Sequence, residues 1–158
     1  MSLLNPLRRM LLRGVAASAL WPVLGTGLLV PGRVLAGEWS RAAFTAININ
    51  DALKAYGSPA TETRDIQINA PEIAENGAKV EVEITSNVAN SRRIALFADK
   101  NPMPLCSALE FSGAALPFAR MQLKLAETTR VRVVITTGDG KTWVASREIK
   151  VTLGGCGG

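Results

Sequence analysis

Short runs in which apolar and polar residues alternate are the feature that most constrains the fold. The segment 80–85 reads Val-Glu-Val-Glu-Ile-Thr, so every second side chain is apolar. A period of two places one face of a strand in a core and the other in water. Similar runs lie at 66–68, 94–98, 109–111, 121–125, 131–136 and 143–151. About seven short strands predict an all-β fold, an immunoglobulin-like antiparallel β-sandwich.

The segments between these runs have the composition of turns. Gly, Pro, Asn and Asp recur at 71–77, 101–104, 113–117 and 137–140. Gly138-Asp139-Gly140 predicts a hairpin between the last two long runs. Before the first run, apolar residues between Trp39 and Tyr56 recur at roughly helical spacing, and Asn48 or Asn50 could cap a short helix around 51–55. One short N-terminal helix is therefore expected.

The chemistry of the side chains excludes most familiar enzymes. The 158 residues contain no histidine and only two cysteines, Cys106 and Cys156. His-based acid–base catalysis, Cys-His nucleophile pairs, C-x-x-C motifs and attached c-type haem are therefore excluded. We expect no bound cofactor, no metal ligands and no catalytic residue in this chain.

The first 36 residues are typical of an export signal. Arg8, Arg9 and Arg13 precede an uncharged apolar stretch that runs to Val30, and the segment ends at the small residues Ala36 and Gly37. This layout predicts a twin-arginine (Tat) signal peptide over 1–36 and a periplasmic protein. An uncleaved membrane anchor is the alternative. Residues 37–158 carry 14 basic and 13 acidic side chains, so no nucleic-acid partner is expected.

The last five residues form the candidate site. They are Gly154, Gly155, Cys156, Gly157 and Gly158, and they follow the last strand pattern, which ends at Leu153. Glycine leaves the backbone unrestricted, so a flexible arm is predicted over 154–158, beyond a sandwich domain over 37–153. Three residues can carry the thiol of Cys156 roughly 10 Å from Leu153.

An exposed cysteine on such an arm has accessibility but no activating base. A cysteine thiol of ordinary pKa, about 8.5, is only roughly 3% ionised at pH 7. A covalent carrier whose thiol is activated by other proteins fits this arrangement. The alternatives are a periplasmic interaction module that forms an intermolecular disulfide or homodimer through Cys156, a thiol-based metallochaperone, and a frayed terminus with an accidental cysteine.

Four segments together resemble the SoxY family, the sulfur-carrier subunits of the bacterial thiosulfate-oxidising (Sox) system. They are the tail at 154–158, the segment Val151–Leu153 before it, the segment Ala70–Gly77 and the segment Phe97–Pro104. The resemblance implies an immunoglobulin-like sandwich that pairs with SoxZ as a heterodimer. It also implies that Cys156 is conjugated to thiosulfate and presents the sulfur intermediates to successive enzymes.

The same resemblance implies transient partners and a non-catalytic role. The haem-containing SoxAX would conjugate thiosulfate to Cys156, SoxB would release sulfate by hydrolysis, and the sulfane dehydrogenase SoxCD would oxidise the remaining sulfur where it is present. Gly154, Gly155, Gly157 and Gly158 would let the arm enter narrow active sites.

Cys106 is a separate question. Free cysteine is among the most buried residue types, so a buried, small apolar role is expected for Cys106. A Cys106–Cys156 disulfide is the alternative, and it would silence the carrier.

Overall fold

The computed structural model describes residues 40–57 and 59–153. The predicted signal peptide (1–36) and the predicted arm (154–158) lie outside the described residues, so both stay predictions. Within the described ranges, no helix has the length and apolar character needed to span a bilayer.

Two short helices, rather than the single one predicted, open the described chain. Their bounds are Arg41–Thr45 for α1 and Ile49–Tyr56 for α2. The side-chain oxygen of Ser40 caps α1, and that of Asn48 caps α2. Each cap satisfies backbone N–H groups that a helix start leaves without partners. The second cap divides the segment in two, and Asn48 is one of the two caps that the sequence predicted.

Nine strands follow the helices within residues 59–153. Their bounds are β1 Thr61–Glu62, β2 Ile66–Asn69, β3 Ile73–Ala74, β4 Val80–Ser86, β5 Ser91–Ala98, β6 Leu105–Glu110, β7 Phe118–Leu123, β8 Thr129–Thr137 and β9 Thr142–Val151. The larger sheet has the order β1-β9-β8-β5-β6, and β3 pairs with β9 near its carboxyl end. The smaller sheet has the order β2-β4-β7. The sandwich predicted from the alternation is confirmed.

The main core lies between the two sheets. From the smaller sheet, Val80, Val82 and Ile84 point into it, as the alternation predicted. From the larger sheet, the alternate residues of β8 face them, and all of these side chains are buried. This arrangement is the ordinary face-to-face packing of two sheets, whose inner faces supply the core.

The two helices cover part of the outer face of the larger sheet. Ala52 of α2 packs in a second buried cluster with Phe97 and Val134, and the ring of Tyr56 meets Phe97 edge-on at 5.6 Å. Burial raises the pKa of Tyr56 above its ordinary value. With one face on the core and the other under the helices, β5 is buried throughout Ile94–Ala98.

The strand count differs from the sequence prediction in a specific way. The seven predicted runs correspond to β2 and β4–β9, whereas β1 and β3 were not predicted. Each has only two residues, which is too short for a period of two to appear. β3 also lies inside 71–77, which the sequence predicted to be a turn. Both added strands run parallel to β9, so the sandwich is not purely antiparallel.

The predicted hairpin joins β8 to β9. Gly140 adopts φ +83° in its turn, a conformation that favours glycine. The Thr137 hydroxyl donates a hydrogen bond to the Asp139 carboxylate, and Lys141 Nζ lies 2.9 Å from Asp139 Oδ2. These contacts lower the pKa of Asp139 to about 2.

Candidate functional site

The predicted site residues Cys156, Gly154, Gly155, Gly157 and Gly158 lie outside the described residues. The structure does describe the point from which they continue. We call residues 150–153 the root segment, because the chain passes from it directly into the glycines.

One side of the root segment is paired with the segment 72–77. β3 runs parallel to the end of β9, with Ile73 opposite Lys150 and Ala74 opposite Val151. The pairing then continues past the strand. Thr152 N donates to Ala74 O at 3.1 Å, and its hydroxyl donates to Glu75 O at 2.9 Å. The segment that sequence reasoning took for a turn therefore fixes the root segment.

The other side of the root segment is held by a side chain. The regular pairing of β8 with β9 ends at Thr129 and Ile149. One residue before β8, the hydroxyl of Thr128 accepts a hydrogen bond from Val151 N at 2.9 Å and lies 3.4 Å from Val151 O, to which it donates. Thr128 therefore takes the place of a strand neighbour.

Gly77 connects the root segment to the loop 124–126, which follows β7. Gly77 N donates to Leu153 O at 2.7 Å, and Gly77 O accepts from Leu125 N, also at 2.7 Å. Gly77 is buried, and so is Leu125. The last described residue, Leu153, is thus tied by its carbonyl group to the body of the domain.

The segment Phe97–Pro104, which carries part of the family resemblance, contacts the loop 124–126 as well. The Asn101 side chain donates to Lys124 O at 2.8 Å and accepts from Ala126 N at 3.0 Å, bracketing Leu125. The segments Ala70–Gly77 and Phe97–Pro104 are far apart in sequence, yet both support the base of the predicted arm.

Phe97–Pro104 is itself anchored on β8. Arg132 donates two hydrogen bonds to the Asp99 carboxylate at 2.7 and 2.8 Å. The hydrogen bonds to Asp99 raise the pKa of Arg132 above its ordinary value. Lys100 N donates to the buried hydroxyl of Thr129 at 3.0 Å. The loop that carries Asn101 is therefore held at its start.

The charges around the base of the predicted arm are paired rather than concentrated. Lys150 lies 3.9 Å from Glu72, and Lys100 lies 3.3 Å from Glu127, all with exposed side chains. In residues 40–57 and 59–153, no group of three or more Cys, Asp or Glu residues could hold a metal ion. The described part of this region offers backbone hydrogen bonding, not a charged binding pocket.

Cys106 packs against the main core but is only half-buried, so the expectation of a buried, apolar cysteine holds in part. It lies on β6, at the edge of the larger sheet, where fewer neighbours cover a side chain. Its thiol donates to Pro104 O at 3.4 Å, and Asn101 Nδ2 lies 3.7 Å from its sulfur. With Phe44 and Met103 it lines an open groove of about 440 Å³. The alternative disulfide to Cys156 involves a residue outside the described ranges.

Sequence reasoning did not identify Thr128, Thr152, Gly77 or Asn101 as parts of the site. Gly77, Asn101 and Thr152 did stand in the segments that carried the family resemblance, and this was their only signal. A threonine hydroxyl that bonds backbone groups 23 positions away leaves no local pattern.

Comparisons with known proteins agree with this architecture. The family described as "Sulfur oxidation protein SoxY" matches residues 52–156. The solved structure of the sulfur carrier protein SoxY from Chlorobium limicola f thiosulfatophilum is similar, with 37% identity and a TM-score of 0.59 over 66% of this chain and 96% of that one.

A weaker likeness is to the superoxide reductase (neelaredoxin) from Ignicoccus hospitalis. It has 22% identity and a TM-score of 0.48, over 66% of this chain and 94% of that one. No curated protein matches the sequence significantly. The family match covers more than half of the chain, and the SoxY structure is covered almost completely. This chain therefore belongs to the SoxY family.

Proposed function

We propose that this chain is a covalent sulfur carrier of thiosulfate oxidation and that Cys156 is the attachment site. The single observation that carries the proposal is the extent of the family match, which runs to residue 156 and so includes the cysteine and the two glycines before it. The similar Chlorobium structure is named a sulfur carrier protein, which supports the same role.

The geometry of the root segment supports a carrier that works by presenting its thiol. The body of the domain holds the chain by hydrogen bonds up to Leu153 O. Beyond Leu153, two glycines precede the cysteine. A fixed base followed by residues without side chains allows a thiol to enter the cleft of another protein. In this role Cys156 is a substrate for partner enzymes, and the chain itself is not a catalyst.

Two chemical steps on Cys156 define the proposed cycle. Conjugation joins the thiol sulfur to the outer sulfur of thiosulfate. The thiol proton passes to solvent, and a haem protein of the SoxAX type would accept the two electrons that are released. Hydrolysis by an enzyme of the SoxB type then cleaves the bond between the sulfane sulfur and the sulfonate sulfur, with water as the second reactant. Sulfate leaves and one sulfur atom stays on the cysteine, without further electron transfer.

The setting of this cycle is part of the same proposal. SoxZ is the proposed heterodimer partner, and SoxCD would act on the sulfur that remains. The twin arginines Arg8 and Arg9 support Tat export, so the periplasm is the proposed compartment.

Intact-mass spectrometry tests the attachment site. The full chain is incubated with SoxZ, SoxAX, thiosulfate and an oxidised electron acceptor. The wild type and the matched control Cys106→Ser should gain a thiosulfate adduct, and Cys156→Ser should gain none, because oxygen cannot replace sulfur in a sulfur–sulfur bond. An adduct on Cys156→Ser would place the attachment elsewhere. A wild type that forms only disulfide dimers would favour an interaction module instead.

A further inference from the structure

We infer that Thr128, Thr152 and Gly77 are positioning residues that clamp the root segment and thereby set the length of the tether on which Cys156 travels. We call these three residues the clamp. The inference rests on the proposed carrier role, because it concerns how the thiol is delivered. None of the three residues is expected to contact the sulfur.

Hydrogen bonds, rather than apolar burial, hold the end of the root segment. Thr152 is exposed, and Leu153 is 66% exposed, so neither residue gains much from packing. What holds them is the donation from Thr152 N and its hydroxyl to the segment 74–75, and the donation from Gly77 N to Leu153 O. A segment held in this way opens when its hydrogen bonds are removed.

Thr128 closes the clamp from the opposite side. The pairing of β9 with β8 stops at Ile149, so within the described residues only the Thr128 side chain contacts Val151 on that side by hydrogen bonds. Removing the hydroxyl leaves the root segment paired on one side alone. The pairing with β3 that remains spans few residues, and of residues 151–153 only Val151 packs against the main core.

The clamp determines the reach of the thiol. With Leu153 fixed, three residue steps separate Cys156 from the body, which limits the reach of its thiol to roughly 10 Å. If residues 151–153 detach, the tether lengthens to six steps, roughly 20 Å. The effective concentration of a tethered group falls with about the −3/2 power of tether length, so the longer tether lowers it about threefold at a fixed target.

The test is Thr128→Val, which keeps the shape of the side chain and removes its hydroxyl. Thr128→Ser restores the hydroxyl and should restore wild-type behaviour. Thr142→Val is the matched control. Thr142 lies at the start of β9, at the opposite end of that strand from the root segment, and its hydroxyl donates a hydrogen bond to Pro59 O. All variants are made in the full chain.

The first readout is amide hydrogen exchange at Thr152 and Gly77, because their acceptors are untouched by the substitution. Thr128→Val should speed exchange at both amides at least fivefold, whereas Thr128→Ser and Thr142→Val should not. This fold-change corresponds to the net contribution of about one hydrogen bond to the free energy of local opening. Unchanged exchange in Thr128→Val would overturn the clamp, whatever the function of Cys156.

The second readout is the loading of Cys156 by SoxAX and thiosulfate. Thr128→Val should lower kcat measurably, with about threefold as the limit for complete detachment of residues 151–153, and leave KM unchanged, because docking of the domain body is not altered. Alkylation of Cys156 by iodoacetamide should keep its wild-type rate. If the wild type is loaded and Thr128→Val is loaded equally fast, the inference is wrong. If the wild type is not loaded at all, the proposed function fails, and hydrogen exchange still decides the clamp.

Discussion

Replacing Asn101 with alanine should destabilise the domain more than its partly exposed position suggests. Asn101 bridges two loops, since its side chain donates to Lys124 O at 2.8 Å and accepts from Ala126 N at 3.0 Å. Alanine cannot replace either bond. The loop 124–126 carries Leu125, whose side chain is fully buried in the main core.

The two hydrogen bonds set the expected magnitude. Each net contribution is about 1 kcal/mol, so removing both costs about 2 kcal/mol if neither group finds a substitute. The bond to Lys124 O is exposed, and water can replace part of it, whereas the bond to Ala126 N is partly buried. We therefore expect a loss of about 1–2 kcal/mol in the free energy of unfolding, or roughly 5 °C in Tm for a domain of this size.

Urea unfolding of the full chain in the presence of reductant measures this loss. Asn69→Ala is the matched control, because Asn69 makes one exposed hydrogen bond to Glu83, at 3.1 Å, on the outer face of the smaller sheet. The control should change stability by less than about 0.5 kcal/mol. A loss in Asn101→Ala no greater than in Asn69→Ala would show that the bridge adds nothing and would refute the reasoning.

Two further predictions concern oxidation and acid. Storage without reductant should give a disulfide-linked dimer that disappears in Cys156→Ser and persists in Cys106→Ser on a non-reducing gel; loss in Cys106→Ser instead would implicate the half-buried thiol. Asp139 has a pKa of about 2 in the folded chain against an ordinary 3.8, so its contribution to stability is present above about pH 4 and is lost as the pH falls through about 2. Asp139→Asn should therefore lower Tm at pH 7 and have little effect near pH 2, and an equal loss at both values would contradict the assignment.

The long strands could be predicted from the sequence because burial of one face imposes a visible period. Val80, Val82 and Ile84 show this directly, since each is buried and each is followed by a more exposed polar residue. β5 was placed correctly as well, although its outer face is covered by α2, a contact that no local pattern indicates. The short strands β1 and β3 owe their existence to β9, which lies far away in sequence.

The candidate site was predictable only in part, for a related reason. Cys156 and its flanking glycines stand out because small residues and a thiol are informative by themselves. The residues that hold the base of the predicted arm act through tertiary contacts. Thr128 and Thr152 are ordinary threonines until the backbone groups of Val151 and Glu75 are brought beside them. Asn101 was expected to serve a local turn, whereas its side chain bridges to a loop more than 20 residues later.

The parallel pairing of β1 and β3 with β9 has a consequence for the order in which the chain can fold. Thr61 pairs with Trp143, and Ala74 pairs with Val151, so these two early strands find their sheet neighbour only in β9, which is synthesised much later. Contacts between such distant residues require closing a long loop and slow the folding reaction. Synthesis therefore has to reach the end of β9 before the larger sheet is complete. A nascent chain that stops short of that point leaves β1 and β3 without a strand to pair with.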